Sequence, residues 1–301
     1  MTDPVTDDDI AAARKARAAA WFRALRDTIV DAFQTLEDAG TATDDRPPAA
    51  FEVTPTTRAS DDGGDAGGGL MSVMRGGRVF EKVGVNVSEV FGTLAPRAVA
   101  AMAARKDLPG MADDPRFWAS GVSLVAHMRN PHVPAVHMNT RMFWTPHGGW
   151  FGGGSDLNPA LPYDDDTTHF HAEMRAACDA FEPGRYDRLK AWADEYFFVP
   201  HRGRARGVGG IFYDDLDTGD WEDDFAFTRE VGRRFLPAWV PLVEKRRDAP
   251  WTDDDRDAQL RHRGLYAEYN LVWDRGTKFG LETGHNVDAV LMSMPPLAKW
   301  H

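Results

Sequence analysis

Two runs of alternating side chains, residues 121–127 (GVSLVAH) and 136–144 (VHMNTRMFW), constrain this chain more than any other feature, because a period of two argues for extended strands. The loop between them is built on Asn130-Pro131 and Val133-Pro134, short enough to let the runs pair antiparallel. Alternation then decides what each face displays. Ser123, Val125 and His127 share one face of the first run. His137, Asn139, Arg141 and Phe143 share one face of the second, leaving Met138, Thr140, Met142 and Trp144 for the other. A common surface carrying a hydroxyl, two imidazoles, an amide and a guanidinium is either functional or costly to bury. It lies in a longer stretch, residues 121–217, that holds most of the histidines among aromatics, glycines and carboxylates, and a pocket is expected there.

The flanking sequence supplies helices. Residues 8–39 place Phe22, Leu25, Ile29, Phe33 and Leu36 at spacings of three and four, with Gly40 just past the end. Residues 41–70 read as a flexible connector, Gly-rich over 60–69 (SDDGGDAGGG); no GK[ST] follows, so this is not a phosphate cradle. Residues 71–91 read as strand, 96–105 as a short Ala-rich helix, and Gly152-Gly153-Gly154 as irregular backbone. A helix near Thr167 carries Phe170, Met174, Ala177, Cys178 and Phe181 as its apolar stripe. It sets His169 and His171 about 200° apart, so only one of them can face a shared pocket. Residues 186–198 form a further helix, and 207–213 a strand delivering Asp214 and Asp215 at its end. Residues 221–245 are helical with a break expected at Pro237 or Pro241. Helix 253–263 is followed by an expected hairpin, strands 265–273 and 277–281 around Asp274-Arg275-Gly276. Strands and helices do not alternate, no repeat is present, and no long linker divides the chain. The expectation is one α+β domain over residues 1–301 with a mostly antiparallel sheet.

Composition narrows the function. A formal charge of -12 disfavours binding to nucleic acid or an anionic membrane surface, so an anionic ligand must be met by a local arginine cluster. Cys178 is the only cysteine, which excludes an internal disulfide and a cysteine-based metal cluster and suits a reducing cytoplasm. The acidic start MTDPVTDDDI lacks a positive n-region, and no apolar run approaches the roughly 20 residues of a membrane span, so neither export nor integral membrane association is expected.

His127, His137, His171 and His201 suit either proton transfer near neutral pH or nitrogen ligation of a metal, and no diagnostic spacing decides between them. Arg141 beside Asn139 suits a carboxylate or phosphate, or else an ion pair with Asp214, Asp215 or Glu81. Trp144, Trp150, Phe151 and Phe197 read first as core, although a flat macrocycle would need such walls.

These residues sit in longer motifs: VSLVAH, NPHVPAVHMNTR, WFGGGSDLNP, HFH, DEYFFVPHRGRARGVGGIFYDDLD, YNLVWDRGTKFGLETG and MSMPP, preceded by GGRVFEKVGVNVS. Together, from Gly76 to Trp300, they resemble the oxygen-dependent coproporphyrinogen III oxidase family. The resemblance implies a cytoplasmic, usually homodimeric haem-pathway enzyme built on a large flat antiparallel sheet with helices on both faces. It implies oxidative decarboxylation of two propionates of coproporphyrinogen III to vinyls, giving protoporphyrinogen IX, with O2 as co-substrate reduced to H2O2. By motif position it assigns His137 as proton donor, and Ser123, the Asn139-Thr140-Arg141 segment and the segment at Gly284, His285 and Asn286 as substrate-binding. His127, His137, His171 and His201 fall at positions assigned to a divalent metal, while no organic cofactor is implied. Asp214 or Asp215 is expected to accept from the substrate's pyrrole N–H groups.

Two positions depart from the family pattern. Gly284-His285-Asn286 stands where many members have GGR, and Leu265 where many have arginine. Fewer cations would then meet the propionates, and Arg206, Arg263 or Arg275 are the candidates to compensate. A tetrapyrrole-binding protein without catalysis and a histidine-ligated metal-dependent oxygenase stand as the alternative readings.

Overall fold

The computed structural model describes residues 6–42, 44–60, 63–282 and 286–300. In chain order the elements are α1 (Asp7–Ala39), β1 (Glu52–Ala59), β2 (Asp65–Arg75), β3 (Phe80–Thr93), α2 (Pro96–Ala103), β4 (Arg116–Met128), β5 (Ala135–Thr145) and β6 (Gly148–Asn158). There follow α3 (Asp164–Asp179), α4 (Arg185–Tyr196), the short strands β7 (Phe198–Val199) and β8 (Arg204–Ala205), β9 (Gly209–Leu216), α5 (Trp221–Arg246), α6 (Asp253–Val272), α7 (Arg275–Glu282) and α8 (Val287–Val290). Seven strands form one open, flat antiparallel sheet in the order β1-β2-β3-β4-β5-β6-β9, so the α+β expectation holds.

Alternation gives the sheet two unlike faces. On one, Val83, Val85, Leu124, Ala126, Val136, Met138, Met142, Phe151 and Ile211 are all buried beneath α1, α3 and α5. The long helix α1 starts on a capping box between Thr6 and Asp9 and buries Phe22, Leu25, Ile29, Phe33 and Leu36, the predicted stripe. Phe33, Phe80, Phe235 and Trp239 meet ring to ring where α1, α5 and the sheet converge. The opposite face is covered in parts. Helix α2 packs at one end, α4 and α6 lie near the β9 edge, and the segment 287–294 lies over β3 and β4. Between these covers Ser123 of β4 and His137, Asn139 and Arg141 of β5 stay partly exposed, and the strip they line, with β6 beside it, forms a groove.

Five local expectations are corrected. The expected single strand over residues 71–91 is two, turning at Gly76-Gly77, and much of the expected connector is strand, with the glycines of 67–69 inside β2. A Cβ on Gly68 would lie 2.0 Å from the Thr56 carbonyl oxygen, so this glycine permits close strand approach. Residues Gly152, Gly153 and Gly154 belong to β6 and are regularly paired with β5. Helix α5 continues through Pro237 and Pro241. Pro241 has no N–H for the Pro237 carbonyl four residues back, and His169 Nε2 meets that carbonyl at 3.0 Å instead. The expected hairpin is the junction of two helices. Asp274 accepts from Thr277 N–H at 2.6 Å, so Asp-Arg-Gly starts α7.

Candidate active site

The groove is set by strand register. Ser123 lies opposite Asn139 and Gly121 opposite Arg141 on the β4–β5 side, while His137 lies opposite Asp156 and Arg141 opposite Gly152 on the β5–β6 side. The face predicted from alternation is thus present, with β6 adding a third row. Glycines make its floor low. A Cβ on Gly152 would come within 2.9 Å of both the Arg141 guanidinium and an Asp214 oxygen, and one on Gly121 within 2.7 Å of Arg141 Cβ. The bare backbone leaves room for long polar side chains to lie across it. Phe117, Phe143 and Trp150 stack in series on the same face at 5.8 and 5.0 Å, walling one end. Trp144 and Phe151 alternate to the other face.

His137 is anchored from behind. Its Nδ1 lies 2.8 Å from Asp156 Oδ1, and its Nε2 is 3.2 Å from Asn139 Nδ2. Asp156 is buried and also accepts from Arg206 Nε and Nη2 at 3.0 and 2.8 Å and from Asn158 Nδ2 at 2.7 Å. Burial alone would raise the Asp156 carboxyl, but Arg206 and His137 outweigh it and hold the group below the usual carboxylate range. Arg206 is itself buried, framed by Phe197, Tyr266 and Tyr269, with its remaining nitrogen given to Asn270 Oδ1 at 2.8 Å. The ionised Asp156 favours the His137 tautomer with its proton on Nδ1, leaving Nε2 to accept from Asn139 Nδ2 on the groove side.

At the other end of the row, Arg141 donates to Asn139 Oδ1 and Asp214 Oδ1, both at 2.8 Å. Asp214 also meets Arg105 Nη2 at 2.9 Å and Arg275 Nη2 at 3.5 Å. Its burial opposes ionisation, yet Arg141, Arg105 and Arg275 together hold its carboxyl below the ordinary value. Three guanidinium groups thus converge on Asp214, and one of them, Arg105, also meets Asp215. Of the three arginines proposed to compensate, only Arg275 is here, lying over Tyr196 and Phe212. Arg206 is committed to Asp156. Arg263 is buried against Glu81 and donates to the Met128 carbonyl.

The expected metal quartet does not assemble. No group of three or more His, Cys, Asp or Glu side chains among the described residues is placed to hold one ion. His127 is buried, gives Nε2 to the Ser293 carbonyl at 2.9 Å and packs edge-on against Tyr266; burial and Arg263 push it down to about 3, so it is neutral. His171 bridges the Val208 carbonyl at 3.1 Å and the Tyr186 hydroxyl at 2.7 Å. His201 lies between Glu268 at 2.8 Å and Trp273 Nε1 at 2.9 Å. Each ring ties separate elements together, and only His137 faces the groove beside Arg141. Thr140 is the second correction. Its side chain is on the core face, fully buried, with no partner for its hydroxyl among the described residues, so the side chain does not face the groove. Asn286 caps α8, accepting from Ala289 N–H at 2.9 Å, and Gly284 and His285 lie outside the described residues. Sequence reading missed Asp156, Arg105 and the role of Arg206. Asp156 would have followed from alternation had the glycines of β6 been read as strand. Nothing in the sequence announced Arg105.

The fold is an α+β one whose seven-stranded sheet sets an imidazole backed by a buried carboxylate and a guanidinium paired with Asp214 in one row. Comparison with known proteins takes this further. Residues 17–301 match the family model for coproporphyrinogen III oxidase. Two proteins of Rickettsia bellii strains, each named oxygen-dependent coproporphyrinogen-III oxidase, are 47% identical over 280 residues, covering 93% of this chain and 96% of theirs. A protein of Rickettsia peacockii with the same name is 45% identical over 281 residues, with the same coverage. The chain belongs to the coproporphyrinogen III oxidase family, a family of oxidoreductases.

Proposed function

We propose that this chain catalyses the oxygen-dependent decarboxylation of two propionates of coproporphyrinogen III to vinyl groups, with His137 as the proton-handling residue and the arginines at the end of the groove as propionate anchors. The observation that carries the residue assignment is the row His137, Asn139, Arg141 on one strand face, with a buried carboxylate behind the imidazole and Arg105 and Arg275 gathered with Arg141 around Asp214.

Reaction balance supports a proton donor. Converting one propionate to a vinyl group releases CO2, one proton and two electrons, whereas reducing O2 to H2O2 takes two electrons and two protons. Each step therefore draws one net proton from the site. His137, with Nδ1 held by Asp156 and Nε2 on the groove side accepting from Asn139 Nδ2, can exchange that hydrogen bond for a proton on Nε2 and deliver it to the groove. Because a pyrrole ring is itself electron-rich, the protein's part is to position substrate and O2 and to manage protons, and no organic cofactor is needed to supply electrons. Ser123 and Asn139 line the groove beside the histidine. Asp214, shared by Arg141, Arg105 and Arg275, serves substrate binding by orienting these arginines. The histidine quartet does not fit a shared metal, and no step here runs through one.

The test is turnover of anaerobically prepared coproporphyrinogen III on admission of air, read by product fluorescence with and without chelator. Vinyl product that persists under chelation is expected. If His137→Ala and Arg141→Ala both turn over like the parent, the assignment is wrong; binding without product would make the chain a carrier, and loss on chelation would give a metal a role.

A homodimer and a cytoplasmic location complete the reading. Leu271, Trp273, Phe279, Leu281, Val287 and Leu297 expose large apolar surface within the last 31 residues, which suits contact with a second copy. No helix among the described residues is long and apolar enough to cross a membrane.

A further inference from the structure

The end of β9 is irregular in a way that has a consequence for substrate binding. Gly153 pairs with Tyr213, but Phe151 pairs with Leu216, so β9 carries one extra residue between these points. This is a β-bulge, and it coincides with Asp215, which has φ 58, the sole positive φ of a non-glycine among the described residues. In a regular strand Asp214 and Asp215 would point to opposite faces. The bulge instead lets both carboxylates reach one guanidinium: Arg105 Nη2 lies 2.9 Å from Asp214 Oδ2 and 2.7 Å from Asp215 Oδ2.

Arg105 comes from outside the sheet, just after α2, and crosses to the groove with its neighbour Lys106, which reaches Asp217 at 3.3 Å and lies over Trp150. Both Arg105 contacts use the same nitrogen. Nε and Nη1 have no protein partner among the described residues, and nearly half of the side chain is exposed. A guanidinium with part of its donor fork unused, half-exposed at the rim of the groove, is suited to a carboxylate.

We infer that Arg105 is a substrate-anchoring residue of this enzyme, binding a propionate carboxylate of the tetrapyrrole, and that Asp215, held in place by the bulge, is its resting counter-ion in the absence of substrate. The inference rests on the reading of the groove as the active site. It assigns the segment after α2 a part in recognition that no strand residue shares, because its arginine approaches from above the sheet.

The experiment compares Arg105→Ala, Arg105→Lys and Asp215→Asn with the parent enzyme. The readouts are KM and kcat for coproporphyrinogen III and the inhibition constant of its tetramethyl ester, which has the same rings and no carboxylates. Arg105→Ala is expected to raise KM about tenfold, as for loss of one charge-assisted contact, with kcat within about twofold and ester inhibition unchanged. Arg105→Lys recovers part of the KM. Asp215→Asn keeps a residue type that tolerates positive φ and lowers KM, because Arg105 loses its competitor. An unchanged KM in Arg105→Ala, equal weakening of acid and ester, or a raised KM in Asp215→Asn would each overturn the inference. A parent that fails to turn over coproporphyrinogen III would instead overturn the reading of the groove.

Discussion

The two faces of β5 differ by one residue of phase and by almost everything else. Val136, Met138, Thr140 and Met142 are buried against α1 and α5, whereas His137, Asn139 and Arg141 line a groove in which polar groups touch one another. The core face gains from removing apolar area from water, about 25 cal/mol per Å2, and tolerates no void. The groove face is shaped by glycines that leave room and by charges that are only partly neutralised. A single strand thus carries stability on its even-numbered residues and chemistry on its odd-numbered ones. Asp156 is where the division fails, because it faces the groove and is as buried as the core.

That exception gives the largest expected effect. Asp156→Asn leaves Arg206 buried without its counter-ion and removes the anion behind His137. Stability should fall by about 3–5 kcal/mol and turnover of the remaining folded enzyme by about 10²–10⁴, measured by urea unfolding and by initial rate. Neighbours on the strand should separate the two properties. His137→Ala is expected to lower kcat by about 10²–10⁴ with a much smaller change in the urea midpoint. Met138→Ala should cost about 2–5 kcal/mol of stability and leave the KM of the folded enzyme unchanged. If Met138→Ala shifts KM as strongly as Arg141→Ala, the faces are not independent.

Acid should strike the buried charges. Glu81, which burial would raise, is held down to about 2 by Arg256 and Arg263, and Asp156 and Asp214 are likewise depressed. Each is deprotonated in the folded state at a pH where the unfolded chain is already protonated. Their contribution is whole above the unfolded carboxylate range and is lost as pH falls through the folded values; for Glu81 it amounts to about 3 kcal/mol, lost between about pH 4.5 and 2. His127, pushed down to about 3, adds a loss that begins near its ordinary value of 6.5. Urea midpoints should therefore fall steadily from pH 6.5 downward, and a midpoint that rises on acidification would contradict these pairings. The smallest effect is expected at Thr140→Val, which removes a buried hydroxyl with no partner at nearly constant volume. Activity should be unchanged, and stability should hold or rise by up to about 1 kcal/mol, as read in the same two assays.

Where local pattern and tertiary demand agree, the reading from sequence was close. The stripe of α1, the antiparallel pairing of 121–127 with 136–144 and the face shared by Ser123, His137, Asn139 and Arg141 all follow from side-chain period alone. Where one residue type serves two purposes, it misled. Glycines in β2 and β6 looked like loop because their common use is flexibility, whereas here they admit close strands and clear a floor. Pro241 looked like a helix break because the carbonyl it strands finds its partner, His169, 68 residues away from Pro237. The four histidines were grouped by the family resemblance, whereas in the fold His127, His171 and His201 each bond to separate neighbours.

Period and motif, both properties of the chain read locally, determined the two-faced sheet, the family and the row His137–Asn139–Arg141. Only the tertiary structure decided which groups complete that row. Asp156 and Arg206 are 50 residues apart and Arg105 and Asp214 are 109 apart. Ion pairs of that separation depend on strand order, a bulge and the packing of helices above the sheet, and no local spacing encodes them.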